Sequence, residues 1–527
     1  MGAIVANITI KRALISVFDK TGVVDLAKTL AGDGVEILST GGTYKLLCEQ
    51  GIPCVKIEDF TGQKEIFGGR VKTLHTKIHA GILSKRDKEA QELNTEHIDL
   101  VCVNLYPFGK LINDNVREMD KLIEMIDIGG PTMIRAASKN YKHVCVIPSA
   151  AYYDEFIEAY KNNNITEEFR LKMAIETFRT TAYYDSVISK SLFNVSTGKG
   201  LFDTIENETV ALPLNKVLDM RYGENPHQYA SYNAIPTFAD EDISKFFTDG
   251  KIHGKELSYN NIADISGAMR ILSDLPDNAC VVVKHSNPCG CAAKATTFES
   301  YKAAYEGDSV SIFGGIVGFR GTVNKQTAEL LSQIFLEIII CEKFDADALE
   351  ILSAKKNIRL MEYAAWKDKI FQYENNFEMK KVLGGVLIQE RDRINPGKDE
   401  EMNVITNAKP TEAQIEDMKF GQTLVKHVKS NAIVVVKDKM LLGVGAGQMN
   451  RVTSARIALD WAGDKAKGAI LASDAFFPMP DTVELAIERG ISAIVQPGGS
   501  IRDQDSIDVC NANNLPMVFT GKRHFLH

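Results

Sequence analysis

The densest chemistry in this 527-residue chain lies in one stretch, Val281-Val282-Val283-Lys284-His285-Ser286-Asn287-Pro288-Cys289-Gly290. Three β-branched residues predict a buried strand. The strand meets a lysine, a histidine and an Asn-Pro-Cys-Gly turn, which would deliver a cation and a base to an exposed loop. Successive strand residues face opposite sides, so the chain must bend between Lys284 and His285 if both serve one pocket. The plainer reading is a polar strand end closed by an ordinary turn. His285, Cys289 and Cys291 also invite a metal. Zinc deaminases, however, carry His-x-Glu and then Pro-Cys-x-x-Cys. Here one residue separates the thiols and no glutamate follows the histidine, so both spacings argue against zinc.

A second chemistry is anion binding. Gly41-Gly42-Thr43 and Gly129-Gly130-Pro131-Thr132 each open a predicted helix, where free backbone N–H groups hold phosphate. Between them, Phe67 to Lys77 supplies Gly68 and Gly69 for close approach and Arg70, Lys72 and Lys77 as cations. Each feature alone is usually a turn or a solvated face; three such loops in one domain favour a phosphate ligand. Farther on, Arg221 to Gln228 is turn-rich and offers an arginine as an anion clamp. Gly443-x-Gly445-x-Gly447 resembles a dinucleotide fingerprint but has the wrong third spacing and no acidic residue placed for a ribose. Asp474-Ala475-Phe476-Phe477-Pro478-Met479-Pro480-Asp481 sets two aromatics and two carboxylates near a loop, with Asp481 expected to cap the helix from Thr482 to Arg489.

These loops need a scaffold. Apolar patterning predicts strands at 12–17, 35–38 and 100–103 and helices at 23–30 and 44–49. Repeated strand–loop–helix units argue a parallel sheet with helices on both faces and ligands at the strands' carboxyl ends. A long helical pattern from Thr166 to Leu192 and the small polar run Asn194 to Gly200 place a domain boundary near residue 199. Val281–Asn287 and Val425–Asn431 echo one another, which predicts two related halves in the second domain. The basic and aromatic C-terminus, Gly521 to His527, is expected to dock. At this length more than one core is required. An apolar fraction of 45%, a charged fraction of 25% and a net charge of −8 give an ordinary globular protein with no call for nucleic acid or an anionic membrane. Nine scattered cysteines and the lack of a long apolar run predict a cytoplasmic protein.

The ordered motifs identify a resemblance that covers essentially the whole chain. Ser16 to Gly22, Gly68 to His75, Asn104 to Phe108, Ile126 to Gly130, Arg221 to Gln228, Lys284 to Gly290 and Gly445 to Gln448 resemble the bifunctional purine-biosynthesis enzymes that join phosphoribosylaminoimidazolecarboxamide formyltransferase to inosinate (IMP) cyclohydrolase. The resemblance implies an α/β fold in two domains. Residues 1–198 would form a cyclohydrolase domain like methylglyoxal synthase; residues 199–527 would form a formyltransferase domain of two cytidine-deaminase-like subdomains without zinc. The chain would transfer a formyl group from 10-formyltetrahydrofolate to the aminoimidazole carboxamide ribonucleotide (AICAR), then close the product (FAICAR) to IMP with loss of water. A homodimer with formyltransferase sites between subunits is expected.

The resemblance also assigns residues. Ser16, Lys20, Thr40, Gly41, Gly42, Thr43, Arg70, Lys72, Thr73, Asn104, Leu105, Asp127 and Ile128 would hold the cyclohydrolase nucleotide, with Lys139 as the proton-transfer lysine and Lys72 and Tyr106 beside the ring. His285 would be the base of formyl transfer, because an imidazole exchanges protons near neutral pH. Lys284 would stabilise charge or protonate the departing folate nitrogen, and Asn431 would hold the formyl oxygen or the carboxamide. Arg221, Tyr222, Gly314, Glu337, Arg451, Phe476 and Arg523 would contact the formyltransferase nucleotide, and Gln448 falls nearby. Met449, Asp481, Ser500 and Ile501 would contact folate. At 337 the chain carries Glu where some relatives carry Asp. Two other readings predict different behaviour: a sensor of a phosphorylated effector would not need Lys139, and a metal deaminase would carry stoichiometric zinc.

Overall fold

The structure, a computed structural model, describes residues 7–198, 209–238, 242–372 and 377–527. It divides into two units: Met1–Leu214 with Ile235–Asp240, and Asn215–Ala234 with Glu241–His527. The expected boundary near residue 199 lies outside the described residues. The helix before it, Glu167–Thr197, runs into the stretch read as linker and ends on Gly198 in the left-handed region at φ 67°. Among the described helices none is long and apolar enough to cross a membrane.

In the first unit β1 (Arg12–Ser16), β2 (Glu36–Ser39), β3 (Val55–Lys56), β4 (Leu100–Val103) and β5 (Cys145–Ile147) form one sheet in the order β3-β2-β1-β4-β5. Every pairing is parallel. Helices cover both faces, so the strands are apolar runs rather than alternating ones: all four residues of β4 are buried. The order reverses at β1, and the loops after β1, β2 and β4 emerge at one end of the sheet, where such folds bind ligands.

The second unit opens with a separate hairpin, β6 (Asn215–Met220) and β7 (Ala230–Ala234), followed by β8 (Lys251–His253). Next come the hairpin β9 (Cys280–Lys284) and β10 (Asn287–Ala292), then β11 (Ile316–Phe319), β12 (Thr322–Val323), β13 (Ile338–Cys341), β14 (Lys343–Phe344) and β15 (Arg359–Glu362). A free-standing hairpin, β16 (Phe377–Val382) and β17 (Gly385–Glu390), precedes β18 (Asn403–Val404). The hairpin β19 (Ile433–Lys437) and β20 (Met440–Gly445) then leads to β21 (Ile470–Ser473), β22 (Ala493–Gln496) and β23 (Met517–Phe519). One twelve-stranded sheet runs β18-β23-β22-β21-β19-β20-β10-β9-β11-β13-β15-β8.

That order reads the same from both ends. Each half is a helix, a tight hairpin and three further helix–strand steps, and the halves meet where β10 pairs antiparallel with β20. The repeat expected from sequence is present, but in another register. β9 corresponds to β19, so Lys284 matches Lys437. Val425–Asn431 is instead the end of a helix and the loop before β19. Both halves put a Lys-containing polar segment beside a buried strand, so similar apolar–polar steps occur in two registers.

Gly443 and Gly445 owe their place to packing. A Cβ on either would stand 2.0 Å from a carbonyl oxygen of the helix Arg451–Ala462, at Ala458 and Ser454 respectively. Gly443 and Gly445 therefore seat a helix on β20.

Candidate active sites

In the first unit the sheet's carboxyl end opens into a cavity of about 700 Å³. Ser16, Lys20, Thr40, Gly41, Gly42, Thr43, Arg70, Lys72, Thr73, Asn104, Tyr106, Asp127 and Ile128 line it. The loops that build it are tied to one another. Asn104, after β4, accepts from the backbone N–H of Asp19 (3.2 Å) and donates to the Asp19 carbonyl (2.9 Å). The Thr43 hydroxyl accepts from Val17 N–H at 3.1 Å, and the Ser16 and Thr40 hydroxyls lie 2.7 Å apart. The helices Gly41–Glu49 and Gly129–Lys139 both point their N-termini at the cavity, whose partial positive charge favours an anion.

Three cations join those termini. Lys72 pairs with Glu65 at 2.5 Å and Arg70 pairs with Glu124, so each is held by a carboxylate that an anionic ligand can replace. Burial lowers the Lys20 pKa, with the Asp19 charge opposing. Burial raises the Asp127 pKa, although the Gly130 N–H donates to it at 2.8 Å. Gly129 and Gly130 are required: a Cβ on them would meet the Thr73 hydroxyl at 2.7 Å and the Asp127 carboxylate at 2.4 Å. The Phe18 and Tyr106 rings lie 5.5 Å apart at the rim.

Two expected residues are elsewhere. Leu105 packs half-buried against the core. Lys139 is the last residue of the helix whose Gly129, Gly130 and Met133 line the cavity, about 9 Å of helix rise beyond Met133. It is exposed and does not line this cavity.

In the second unit the anchor stretch bends one step earlier than the sequence reading has it. Asn287-Pro288-Cys289-Gly290 belongs to β10; the turn is His285-Ser286, both in the left-handed region at φ 53° and 60°. Two consecutive positive φ values make the two-residue turn whose twist suits a hairpin, although neither residue is glycine. The turn is what separates Lys284 from His285. Lys284 Nζ donates to the Phe313 carbonyl at 3.0 Å, next to Gly314 at φ 73°. His285 is exposed, and its carbonyl accepts from Asn287 Nδ2 at 3.0 Å. Asn287 Oδ1 accepts from Lys429 N–H at 3.2 Å, which ties the turn to the loop carrying Asn431.

Asn431 is fixed from both ends. Its amide nitrogen donates to the Gln448 carbonyl at 2.8 Å, and its oxygen accepts from Arg451 at 2.7 Å. Arg451 also pairs with the fully buried Asp474 and donates to Ser473 Oγ at 2.9 Å. Phe476 follows two residues on, half-buried. Met449 and Ile501 are fully exposed apolar side chains in the same half, and the Ser500 N–H is held by Asp503 at 3.1 Å. Asp481 is not a cap: the helix starts at Asp481 itself after Pro480, and its carboxylate accepts from Thr482 N–H at 2.7 Å. Glu337 accepts from Asn261 at 3.0 Å, beside the helix start that Asn260 ties to the Glu224 carbonyl. Arg221 lies over the Tyr222 ring at 5.7 Å.

The tail is docked, as expected. Leu526 N–H donates to Ser430 Oγ at 3.2 Å, and Arg523 covers the Phe525 ring. His524 is buried between Asp392 and Glu400. Burial alone would lower its pKa; the side-chain bonds to Asp392 and Glu400 outweigh burial and raise it from 6.5 to about 9. A raised pKa stabilises the fold fully below the unfolded value and is lost as pH climbs through the folded one. Stability should therefore fall between pH 6.5 and about 9, by at most about 3 kcal/mol. Urea midpoints across that range check this, and His524→Gln should flatten the profile.

Sequence reading missed Asp264 and Phe335 in this region. Phe335 packs against Phe313 with ring centroids at 5.6 Å, both rings more than half exposed beside Lys284. Isolated polar or aromatic residues on helices and loop edges carry no motif, so only the fold brings them here.

A family model described as the AICARFT/IMPCHase bienzyme matches residues 137–461, and one described as an MGS-like domain matches residues 22–132. A bifunctional purine biosynthesis protein PurH from Acetivibrio thermocellus is 47% identical over 524 residues, covering 98% of this chain and 100% of that protein. The chain belongs to the AICARFT/IMPCHase bienzyme family. It is thus a bifunctional enzyme of purine biosynthesis, an AICAR formyltransferase and an IMP cyclohydrolase. The PurH protein of Bacillus mycoides is 48% identical over 523 residues, again 98% of this chain and 100% of that one. A solved structure described as ForH covers 35% of this chain and 98% of its own at 31% identity, with a TM-score of 0.31.

Proposed function

We propose that the first unit of this bienzyme closes the purine ring and the second transfers the formyl group. The observation that carries the assignment is that each unit has its own constellation: a cationic cavity at a sheet end in one, a base, an ammonium and an amide around a hairpin turn in the other. Residues 1–198 and 199–527 are the corresponding domains. The repeated halves of the second unit are read as two cytidine-deaminase-like subdomains.

In the first site the substrate phosphate takes the helix N-termini and Lys20, whose ammonium otherwise donates to the Val17 and Phe18 carbonyls. Arg70 and Lys72 exchange their carboxylate partners for the substrate. The carboxamide nitrogen attacks the formyl carbon, a tetrahedral carbinolamine forms, and hydroxide leaves with a proton as water. The reaction is intramolecular, so holding the two groups together supplies much of the rate. Lys72 stabilises the developing oxyanion, Lys139 is the proton-transfer lysine that helps the hydroxyl leave, and Asp127, held by the Gly130 N–H, contacts the nucleotide.

In the second site the co-substrate is 10-formyltetrahydrofolate. The AICAR amine attacks the formyl carbon, His285 takes the amine proton, Asn431 holds the formyl oxygen, and Lys284 protonates the departing folate nitrogen. The amine is conjugated with the imidazole and its carboxamide and is a poor nucleophile, so proton removal matters. Arg451, Phe476, Gly314, Glu337, Arg221, Tyr222 and Arg523 are the proposed nucleotide contacts. Met449, Asp481, Ser500 and Ile501 are the folate contacts, supported by the exposed apolar side chains of Met449 and Ile501.

Lys139 bears on the homodimer. Lys139 is exposed and outside the lining of its own cavity, and in this reading it acts in ring closure by serving a second copy of the chain. Lys72→Ala and Lys139→Ala should each depress cyclisation of preformed FAICAR by about a hundredfold, with formyl transfer retained. Mixing the two inactive proteins under exchange of subunits should restore part of the cyclisation. No restoration, with each variant folded and dimeric, would reject the shared site; loss of formyl transfer in Lys72→Ala would reject the division of labour.

A further inference from the structure

The hairpin turn that presents His285 is a strained element, and something must hold it. Left-handed backbone is disfavoured for any residue with a Cβ, and both residues of this turn adopt it. The neighbour that stabilises it is Asp264, on the helix Tyr259–Asp274. Its Oδ1 accepts from the Ser286 N–H at 2.7 Å and from the Ser286 hydroxyl at 3.2 Å.

The repeat supplies an internal control. In the other half the hairpin β19–β20 turns on Asp438-Lys439, again both left-handed at φ 53° and 52°. There Asp417 accepts from Asp438 N–H at 2.8 Å and from Lys439 N–H at 2.6 Å. Asp264 and Asp417 each stand five residues after the first residue of their helix, Tyr259 and Glu412. The same carboxylate clamp thus serves both turns. In one half the clamped turn carries an exposed imidazole. In the other it carries Asp438 and Lys439, which the formyl-transfer reading does not use.

We propose that Asp264 is a positioning residue for formyl transfer: it fixes the His285-Ser286 turn and thereby aims the imidazole at the AICAR amine. The clamp is a structural device present in duplicate, and catalysis depends on one of the two copies. This rests on the reading of His285 as the base. Small displacements of a catalytic group are costly, with about a hundredfold lost for an ångström, so loosening the turn acts on kcat rather than on substrate affinity.

The test compares full-length Asp264→Ala, Asp264→Asn, Asp417→Ala and His285→Ala in formyl transfer, in cyclisation of preformed FAICAR, and in thermal melting. Asp264→Ala should lower the formyl-transfer kcat by about ten- to a hundredfold with KM for AICAR and for formyl-folate unchanged and cyclisation intact. Asp264→Asn, which keeps an acceptor oxygen, should recover part of that loss. Asp417→Ala should lower the melting temperature comparably and leave formyl transfer unchanged. The proposal is overturned if Asp264→Ala or, should that variant not fold, Asp264→Asn transfers formyl groups at the native rate, or if Asp417→Ala loses as much activity as Asp264→Ala. If His285→Ala keeps full formyl transfer, it is the reading of the base that fails, a result separable from the others.

Discussion

His285→Ala should lower formyl transfer by about two to four orders of magnitude and leave cyclisation of supplied FAICAR at its native rate. The side chain is exposed at the tip of a hairpin and holds no part of the core together, so its removal costs little stability. What it removes is the proton acceptor for an amine whose lone pair is delocalised. Lys284, one residue earlier, does not substitute, because it is the proton donor of the reaction, and as a donor it already meets the Phe313 carbonyl. The measurement is the ultraviolet absorbance change with AICAR and 10-formyltetrahydrofolate, followed by the change with FAICAR alone. Loss of both activities in a folded protein would contradict two independent sites.

Arg451→Met should be the more damaging change to the fold. Arg451 and Asp474 form a buried ion pair, with side chains 5% and 0% exposed. Removing the guanidinium leaves the Asp474 carboxylate without its countercharge in a dry place, which costs about 3–5 kcal/mol. It also frees Asn431, whose oxygen loses its donor. Chemical denaturation should show that loss of stability, and formyl transfer should collapse even where the variant remains folded. Replacing both partners, Arg451→Met with Asp474→Leu, should return much of the stability and none of the activity, because a buried pair exchanged for apolar groups is often neutral whereas Asn431 stays unheld. Recovery of formyl transfer in the double variant would show that Arg451 has no part in the site.

The first unit was largely legible from sequence because most of its cavity residues sit in contiguous loops. Ser16, Thr40–Thr43 and Asn104 lie where strands end, Arg70, Lys72 and Thr73 follow a glycine pair, and the cavity gathers them. Lys139 was not legible in the same way: a lysine near a glycine-rich helix start in sequence is a helix length away in space. In the second unit the strand before Lys284 is evident, but the turn signal falls on Asn-Pro-Cys-Gly because those residues favour turns. Tertiary context overrode that preference, since Asp264 holds His285 and Ser286 in the turn and β10 finds a partner in β20. Asp264 itself has no sequence signature in a single copy. Its counterpart Asp417 at the same helix position would have revealed it, had the repeat been aligned on the hairpins instead of on Val425–Asn431.

The seam between the halves has a consequence for biosynthesis. β10 gains its outer neighbour only when β20 arrives, roughly 150 residues later in the chain by the register Ala292 to Met440. Until then the nascent protein carries a bare edge and half of an apolar layer that spans both repeats. A ribosome stalled between the hairpins would display a sticky strand, and chaperone demand should peak in that window of translation.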